Sequence, residues 1–394
     1  MEILLTCLFG GFLLGQLGGI TLWPGVTIYV HDIILVIFLL ASTIFIFRRK
    51  KFVKPSLFTP IAAFVAVGAV SLLVNLFRFS VPQIGEASLY LFRFAAYACL
   101  YVVLVADGRL SSIFLLTRLF WFGVGITLAG FVQYIWYPEL RNLSYLGWDP
   151  HYLRLFSTFF DPNFAGILIV CTFLLGMYLW QKKRSPLIAA AEAVNLIALY
   201  LTFSRSSYLA FVLAIFAYIL FRKQWRILIL LAVFVLAVIF IPKPGGHTLL
   251  LTREASTLAR IGNWKESMGI IAKAPLFGNG FNTLRFVYEK SHPEITSGPI
   301  SKAAAGLDSS ILFILATTGI VGLAAYTWIL MSVVRLFWNH KRPVQARGIM
   351  IAILVALLTH SLFTNSLFYP WVMLWFWIFM AAGELETRRL TSGR

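Results

Sequence analysis

Uninterrupted apolar runs of membrane-spanning length leave this chain few folds to choose from. About twelve are legible, at 3–21, 32–47, 57–77, 87–105, 111–136, 163–180, 186–203, 206–221, 226–242, 309–333, 347–363 and 368–382. In a bilayer every backbone N–H and C=O must find its partner within the protein, which only helices and closed barrels achieve. A barrel would show short segments of alternating polarity instead of continuous runs. The expectation is an all-α polytopic membrane protein of about 12 transmembrane helices, a single integral membrane domain over residues 1–394. The first run begins with no basic stretch ahead of it and no clear Ala-x-Ala site, so it reads as a span and not as a cleaved signal. No internal repeat or soluble domain is visible.

The formal net charge of +18 does not imply nucleic acid. Arg48 to Lys51, Lys182 to Arg184, Arg222 to Arg226, Arg335 to Arg347 and Arg388 with Arg389 follow alternate runs and therefore fall on one side. Basic residues between spans mark the cytoplasmic side. Both termini are then expected in the cytoplasm, and the segments between these clusters outside. Cys7, Cys99 and Cys171 fall in apolar runs and read as small hydrophobes. The six histidines have no ligand spacing, so no metal site is expected.

The polarity of the chain concentrates in two outer segments, 137–162 and 243–308. In the longer one, Ile261, Trp264, Met268 and Ile271 share a helical stripe with Arg260 at its edge. Pro275 and Gly278-Asn279-Gly280 would end such a helix. The expectation is an extracytoplasmic loop carrying an amphipathic helix packed on the outer rim of the bundle. In 137–162, Asp161-Pro162-Asn163 reads as a turn into a span. Thr202-Phe203-Ser204-Arg205-Ser206-Ser207 reads as a tight hairpin between spans.

Arg154, Arg205, Arg260 and Asp308 thus gather at the outer face, with Arg93 about two turns below it. Guanidinium groups there suit a diphosphate, being planar, permanently charged and bidentate to phosphate oxygens. An arginine within a span points to function by default. Each has a plainer reading. Arg141 and Arg154 can be solvated loop charges, Arg205 an interfacial anchor, and Arg93 a partner of Glu86 or of a backbone carbonyl. Arg260 can hold its helix at the headgroup level. Asp308 can be a helix N-cap, a general base, or both. Gly278 and Gly280 serve a turn.

These residues form an ordered set. Arg154-x-Phe156-Ser157-Thr158-Phe159-x-Asp161-Pro162-Asn163-Phe164 comes first, followed by Thr202-Phe203-Ser204-Arg205-Ser206. Arg260-x-x-x-Trp264 precedes Pro275-Leu276-x-Gly278-x-Gly280, and Asp308-Ser309-Ser310 precedes Gly319-Ile320-Val321-Gly322. The set resembles the O-antigen ligase and Wzy-type polymerase superfamily over roughly residues 150–325. The resemblance implies a GT-C-type membrane glycosyltransferase in a bacterial cytoplasmic (inner) membrane, with its active face periplasmic or extracellular. It implies a donor oligosaccharide on undecaprenyl diphosphate, a glycan or lipid-linked acceptor, a chain-length regulator as a further partner, and no cofactor. Arg205 matches the family's arginine after the seventh span and Arg260 its loop arginine. Asp308 stands where ligases often carry a histidine, which leans toward the polymerase branch; His292 is an alternative base.

The function expected is therefore metal-independent glycan transfer for polysaccharide or lipopolysaccharide biosynthesis. Asp308, Arg205 and Arg260 are the catalytic candidates, and Arg93, Arg154, Trp264 and Asp161 the substrate-binding ones. A lipid-linked glycan transporter is the rival, drawing on Glu192, Arg118 and His360. A peptidoglycan polymerase of similar topology fits the motifs less well.

Overall fold

The computed structural model describes residues 2–23, 25–49, 52–241, 254–291, 307–338 and 344–391, and of residues 49, 254–260, 291, 344 and 345 the backbone alone. The helices in chain order are α1 (Glu2–Leu13), α2 (Val30–Arg49), α3 (Phe58–Val74), α4 (Val81–Asp107), α5 (Ser112–Trp136), α6 (Pro162–Lys183) and α7 (Pro186–Leu201). They continue with α8 (Arg205–Arg222), α9 (Ile227–Phe240), α10 (Glu254–Lys273), α11 (Leu284–Ser291), α12 (Ser310–Phe337), α13 (Val344–Ser361) and α14 (Pro370–Thr391). A two-stranded antiparallel hairpin, β1 (Gly19–Trp23) with β2 (Val26–Tyr29), stands between α1 and α2.

Among the described residues, six helices are long and apolar enough to cross a membrane: most of α2, and α4, α5, α6, α8 and α12. Others of the sequence-predicted runs form shorter apolar helices, as in α1, α3, α7 and α9. The first run, expected to be helical over 3–21, is helical only to Leu13. Gly15, at φ 56°, turns the chain there, and a Cβ on it would lie 2.3 Å from the Thr158 carbonyl oxygen. The remainder of that run enters the hairpin.

Helix ends follow local chemistry. Ser80 and Gln83 form a capping box at the start of α4, and Gly108 ends that helix in the left-handed region at φ 62°. The Asp161 side chain accepts from the Asn163 N–H at 2.7 Å, with Pro162 as the first residue of α6. The core lies around α6 and α14. Trp371, Trp375 and Trp377 of α14 are buried, and α6 buries residues all round. A helix apolar on every side belongs at the centre of a bundle.

α12 is broken at Gly319, where φ is 66° and ψ −165°. The break frees backbone groups, and the segment after α10 takes them up. The N–H groups of Asn279 and Gly280 donate to the carbonyls of Ala316 and Thr317 at 2.9 and 3.1 Å. The N–H groups of Ile320 and Val321 donate to the carbonyls of Pro275 and Leu276 at 2.9 and 3.3 Å. Ser71 of α3 adds a hydrogen bond to the Thr317 carbonyl at 2.6 Å. Gly278 and Gly280 do turn the chain, at φ 70° and 108°. Gly278 also admits the α12 backbone, since a Cβ there would lie 2.3 Å from the Thr317 carbonyl carbon. Irregular backbone at membrane depth is tolerated where protein groups satisfy it in this way.

Candidate functional site

The expected hairpin between α7 and α8 is present: α7 ends at Leu201 and α8 begins at Arg205. Ser204 is the N-cap, its hydroxyl accepting from the Ser207 N–H at 3.3 Å and donating to Asn163 Oδ1 at 2.7 Å. Ser206 Oγ lies 3.2 Å from His360 Nε2, and His360 Nδ1 lies 3.1 Å from Ser366 Oγ. His360, Ser204, Ser206 and Ser366 are all buried. Arg205 is therefore held on a platform built from the start of α6, the end of α13 and the turn before α14. Its place in the first turn of α8 runs against the helix dipole, which favours negative charge at that end by about 0.3–1 kcal/mol. A cation held there by structure suits an anion that both the guanidinium and the helix terminus attract.

Arg154, which a solvated loop charge would leave exposed, is buried. Its Nε donates to the Thr202 carbonyl at 2.9 Å and its Nη2 to the Phe203 carbonyl at 3.1 Å. Nη1 lies 3.4 Å from His151 Nδ1. Arg154 thus staples the second outer segment onto the hairpin that presents Arg205. Gln133 of α5 orders the same segment, its side-chain oxygen accepting from the N–H groups of Phe156 and Ser157 at 2.8 and 3.1 Å.

Asp308 precedes the N-cap of α12. Ser309 occupies the cap and makes no side-chain capping bond, so the capping reading of Asp308 gives way. The Asp308 carboxylate instead accepts from Asn263 Nδ2 of α10 at 3.2 Å. Asn263 lies three residues after Arg260, so this contact brings the Arg260 turn of α10 beside Asp308. The Arg260 side chain lies outside the described residues, as does His292.

Two further carboxyl groups share the neighbourhood. Burial, and then the charge of Asp308, hold the Asp149 carboxyl above its usual range, while Arg154 lowers it. Burial pushes the Asp161 carboxyl up to about 6 against its hydrogen bond from Asn163 and the charge of Arg154, with Asp149 adding to the rise. Arg154 and Asp308 thus both act on the Asp149 carboxyl, while hydrogen bonds tie Arg154 to the Arg205 hairpin and Asp308 to the Arg260 turn.

Trp264 is 41% exposed, and Ile261 and Met268 more so. Of the stripe expected to pack on the bundle, Ile261, Trp264 and Met268 point outward and Ile271 alone packs inward. Ser267 and Ile270 are the buried side chains among the described ones of α10, and Ile270 packs with Leu284, Leu307 and Phe313. The reason is geometric: the loop plugged into the α12 break rotates α10 so that its Ile270 face meets α12. Ile261, Trp264 and Met268 are left exposed.

Arg93 lies apart from this chain of contacts. Its Nη2 donates to Asp32 Oδ2 at 2.9 Å and to the Thr27 carbonyl at 2.5 Å. The Tyr97 hydroxyl donates to the other Asp32 oxygen at 2.5 Å. Of the two partners expected for Arg93, the backbone carbonyl is found, that of Thr27, while Glu86 pairs with Arg285 of α11. Arg93 ties the β-hairpin to α4, and the Glu86–Arg285 pair ties the outer loop to the same helix.

Asp149, Asn263 and His360 were not among the site residues expected from the sequence. The first two lie in polar segments whose fold has no periodic signature. His360 sits at the end of an apolar run, where only the packing of α8 against α13 reveals its partner. Among the described residues no group of three His, Cys, Asp or Glu side chains is placed to hold a metal ion.

Residues 190–327 match the family model of the O-antigen ligases. The matched stretch runs from α7 to α12 and contains Arg205, Arg260, Trp264 and Asp308. No curated protein matches the chain.

Proposed function

We propose that this chain, whose residues 190–327 match the O-antigen ligase family model, transfers a glycan from an undecaprenyl-diphosphate-linked donor to an acceptor sugar hydroxyl. The transfer takes place at the outer face of the bacterial cytoplasmic membrane. The acceptor hydroxyl attacks the anomeric carbon with inversion, its proton passes to Asp308, and the polyprenyl diphosphate leaves. Arg205 and Arg260 hold the departing diphosphate, whose charge they stabilise in a site partly shielded from water. No metal ion takes part.

The observation that carries this reading is that Arg154 is hydrogen-bonded to the hairpin presenting Arg205, while Asp308 is hydrogen-bonded to the turn of α10 that follows Arg260. It supports reading the arginines as anion-binding groups and Asp308 as the base. Arg154 and Arg93, committed to carbonyls and to Asp32, act as positioning residues. Asp161 caps α6 beneath the site, and Trp264 at the lipid boundary guides the polyprenyl chain. Glu192 and His360, on which a transporter reading draws, enter local hydrogen-bond chains with Asn195 and with Ser206 and Ser366.

The test is transfer by the purified protein from a synthetic polyprenyl-diphosphate glycan, with the polyprenyl-monophosphate glycan as control and a chelator present throughout. Product from the diphosphate donor alone is expected. Equal use of both donors, or activity lost to the chelator and restored by a divalent ion, overturns the reading. Offering a second donor molecule or a lipid-linked core sugar as acceptor separates polymerase from ligase.

A further inference from the structure

A second polar site lies at the opposite end of α6 and α8, about 30 Å from the first at 1.5 Å per helical residue. A cavity of about 490 Å³ opens there between the ends of α6 and α8 and the starts of α9 and α13. Tyr178, Trp180, Gln181, Lys182, Arg184 and Arg222 line it. Three of the six carry positive charge. Lys182 lies 3.8 Å from the Glu386 carboxylate of α14, which also accepts from the Tyr178 hydroxyl at 3.0 Å.

Two polar atoms in this lining are buried and have no hydrogen-bond partner among the described residues: Arg222 Nε, a donor, and Gln181 Oε1, an acceptor. Leaving a buried polar group unmatched costs about 1–3 kcal/mol, and more for a charged one. Arg222 is fixed in place by packing. Its stem crosses α13 at Gly348, where a Cβ would come within 3.0 Å of Arg222 Cγ. The Gln181 amide is fixed by its other end, which donates to the Tyr218 hydroxyl at 2.7 Å. The two residues are thus held in place at the cavity wall, with these two atoms buried beneath it.

We infer that this cavity binds the phosphate headgroup of a glycerophospholipid. The phosphodiester meets the positive charges of Arg222, Arg184 and Lys182 that line the cavity. Basic pockets between helices at the basic side of a membrane protein suit anionic headgroups. Trp180 and Tyr178 supply the aromatic edges common at headgroup level. Ile227, also in the lining, opens α9, whose Ile229 and Val233 are 69% and 61% exposed. An acyl chain running down from the cavity would lie along that apolar face. The inference is independent of the transfer reading.

The test uses the whole protein in neutral detergent, stripped of lipid and titrated with phosphatidylglycerol under native mass spectrometry. Phosphatidylcholine, inorganic phosphate and glycerol 3-phosphate are the comparison arms. Arg222→Gln and Arg184→Gln are each expected to weaken phosphatidylglycerol binding about 5-fold. Lys183→Gln, which removes a charge on the same face outside the cavity, is expected to leave it unchanged. Thermal unfolding of each variant without lipid checks that the fold is kept. Phosphatidylglycerol binding well above the soluble phosphates places the ligand in the bilayer; equal binding of both identifies the phosphate group itself as the ligand. Loss in Lys183→Gln as large as in the cavity variants, or no binding of either class, overturns the proposal.

Discussion

Asp308 and Arg205 can each be tested by a substitution that keeps geometry and changes chemistry. Asn263 donates to Asp308, and the side-chain oxygen of an asparagine can accept that bond equally, but an amide takes up no proton at neutral pH. Asp308→Asn and Asp308→Ala are therefore expected to lose transfer activity alike, by about 10²–10⁴-fold. Because Ser309, and not Asp308, is the N-cap, neither variant should show the roughly 1 kcal/mol loss that removing a cap brings. Transfer rates and thermal unfolding of the purified variants check both statements, and an active Asp308→Asn would refute the base assignment. Arg205→Lys keeps the charge but loses the planar fork that meets two phosphate oxygens at once. Most transfer activity should disappear while the fold survives, since the Ser204 and Ser206 contacts stay intact. Full activity in Arg205→Lys would reduce Arg205 to an interfacial anchor.

At the scale of elements, the broken α12 and the loop after α10 support one another. Gly319 adopts φ 66° with ψ −165°, a region that is essentially glycine's alone. A Cβ on Gly319 would lie 2.2 Å from the Leu276 carbonyl oxygen, and one on Gly278 2.4 Å from the Thr317 carbonyl oxygen. Gly319→Ala is expected to destabilise by at least about 1–3 kcal/mol through backbone strain. Gly278→Ala should do the same by forcing the two backbones apart. The double variant should cost less than the sum, because both substitutions break one interface. Gly262→Ala, with nothing within 4 Å, is the control and should be neutral or stabilising by about 0.5–1 kcal/mol. Thermal unfolding of the four proteins gives the comparison; strict additivity would mean that the two glycines do not share an interface. Since the same loop sets the rotation of α10, both damaging variants should also lower transfer activity.

At the scale of the whole molecule, the starts of α6, α8 and α12 and the end of α13 lie together at one end of the bundle. The basic ends of α6, α8 and α14 lie at the other. If the basic end is cytoplasmic, reporter fusions at Lys183 and Lys341 will report cytoplasm, and a fusion at Lys290 of α11 will report the outer side. A cytoplasmic Lys290 would put the carboxylates and arginines on the wrong face for an outer-leaflet donor, and the proposed function would fall with it.

Sequence alone did not reveal the β1–β2 hairpin, but it was enough for the predominantly helical membrane class, the two polar segments, the α7–α8 hairpin and the Asp161-Pro162 helix start. Each of these follows from a local rule: apolar length, charge between runs, or the chemistry of a cap. Arg205 and Asp308 were also legible, as charges out of place at the ends of apolar runs. Tertiary packing decided what these groups touch. It gave Arg93 to Asp32 and Glu86 to Arg285, committed Arg154 to carbonyls, and turned the Trp264 stripe of α10 away from the bundle. Periodicity shows that a helix has an apolar stripe, but in a membrane protein that stripe can face lipid as well as protein. The choice rests on the plug of 275–280 into the α12 break, a pairing between residues about 40 apart. No local signal encodes such a contact, because its energy comes from backbone groups that only the broken helix leaves unpaired.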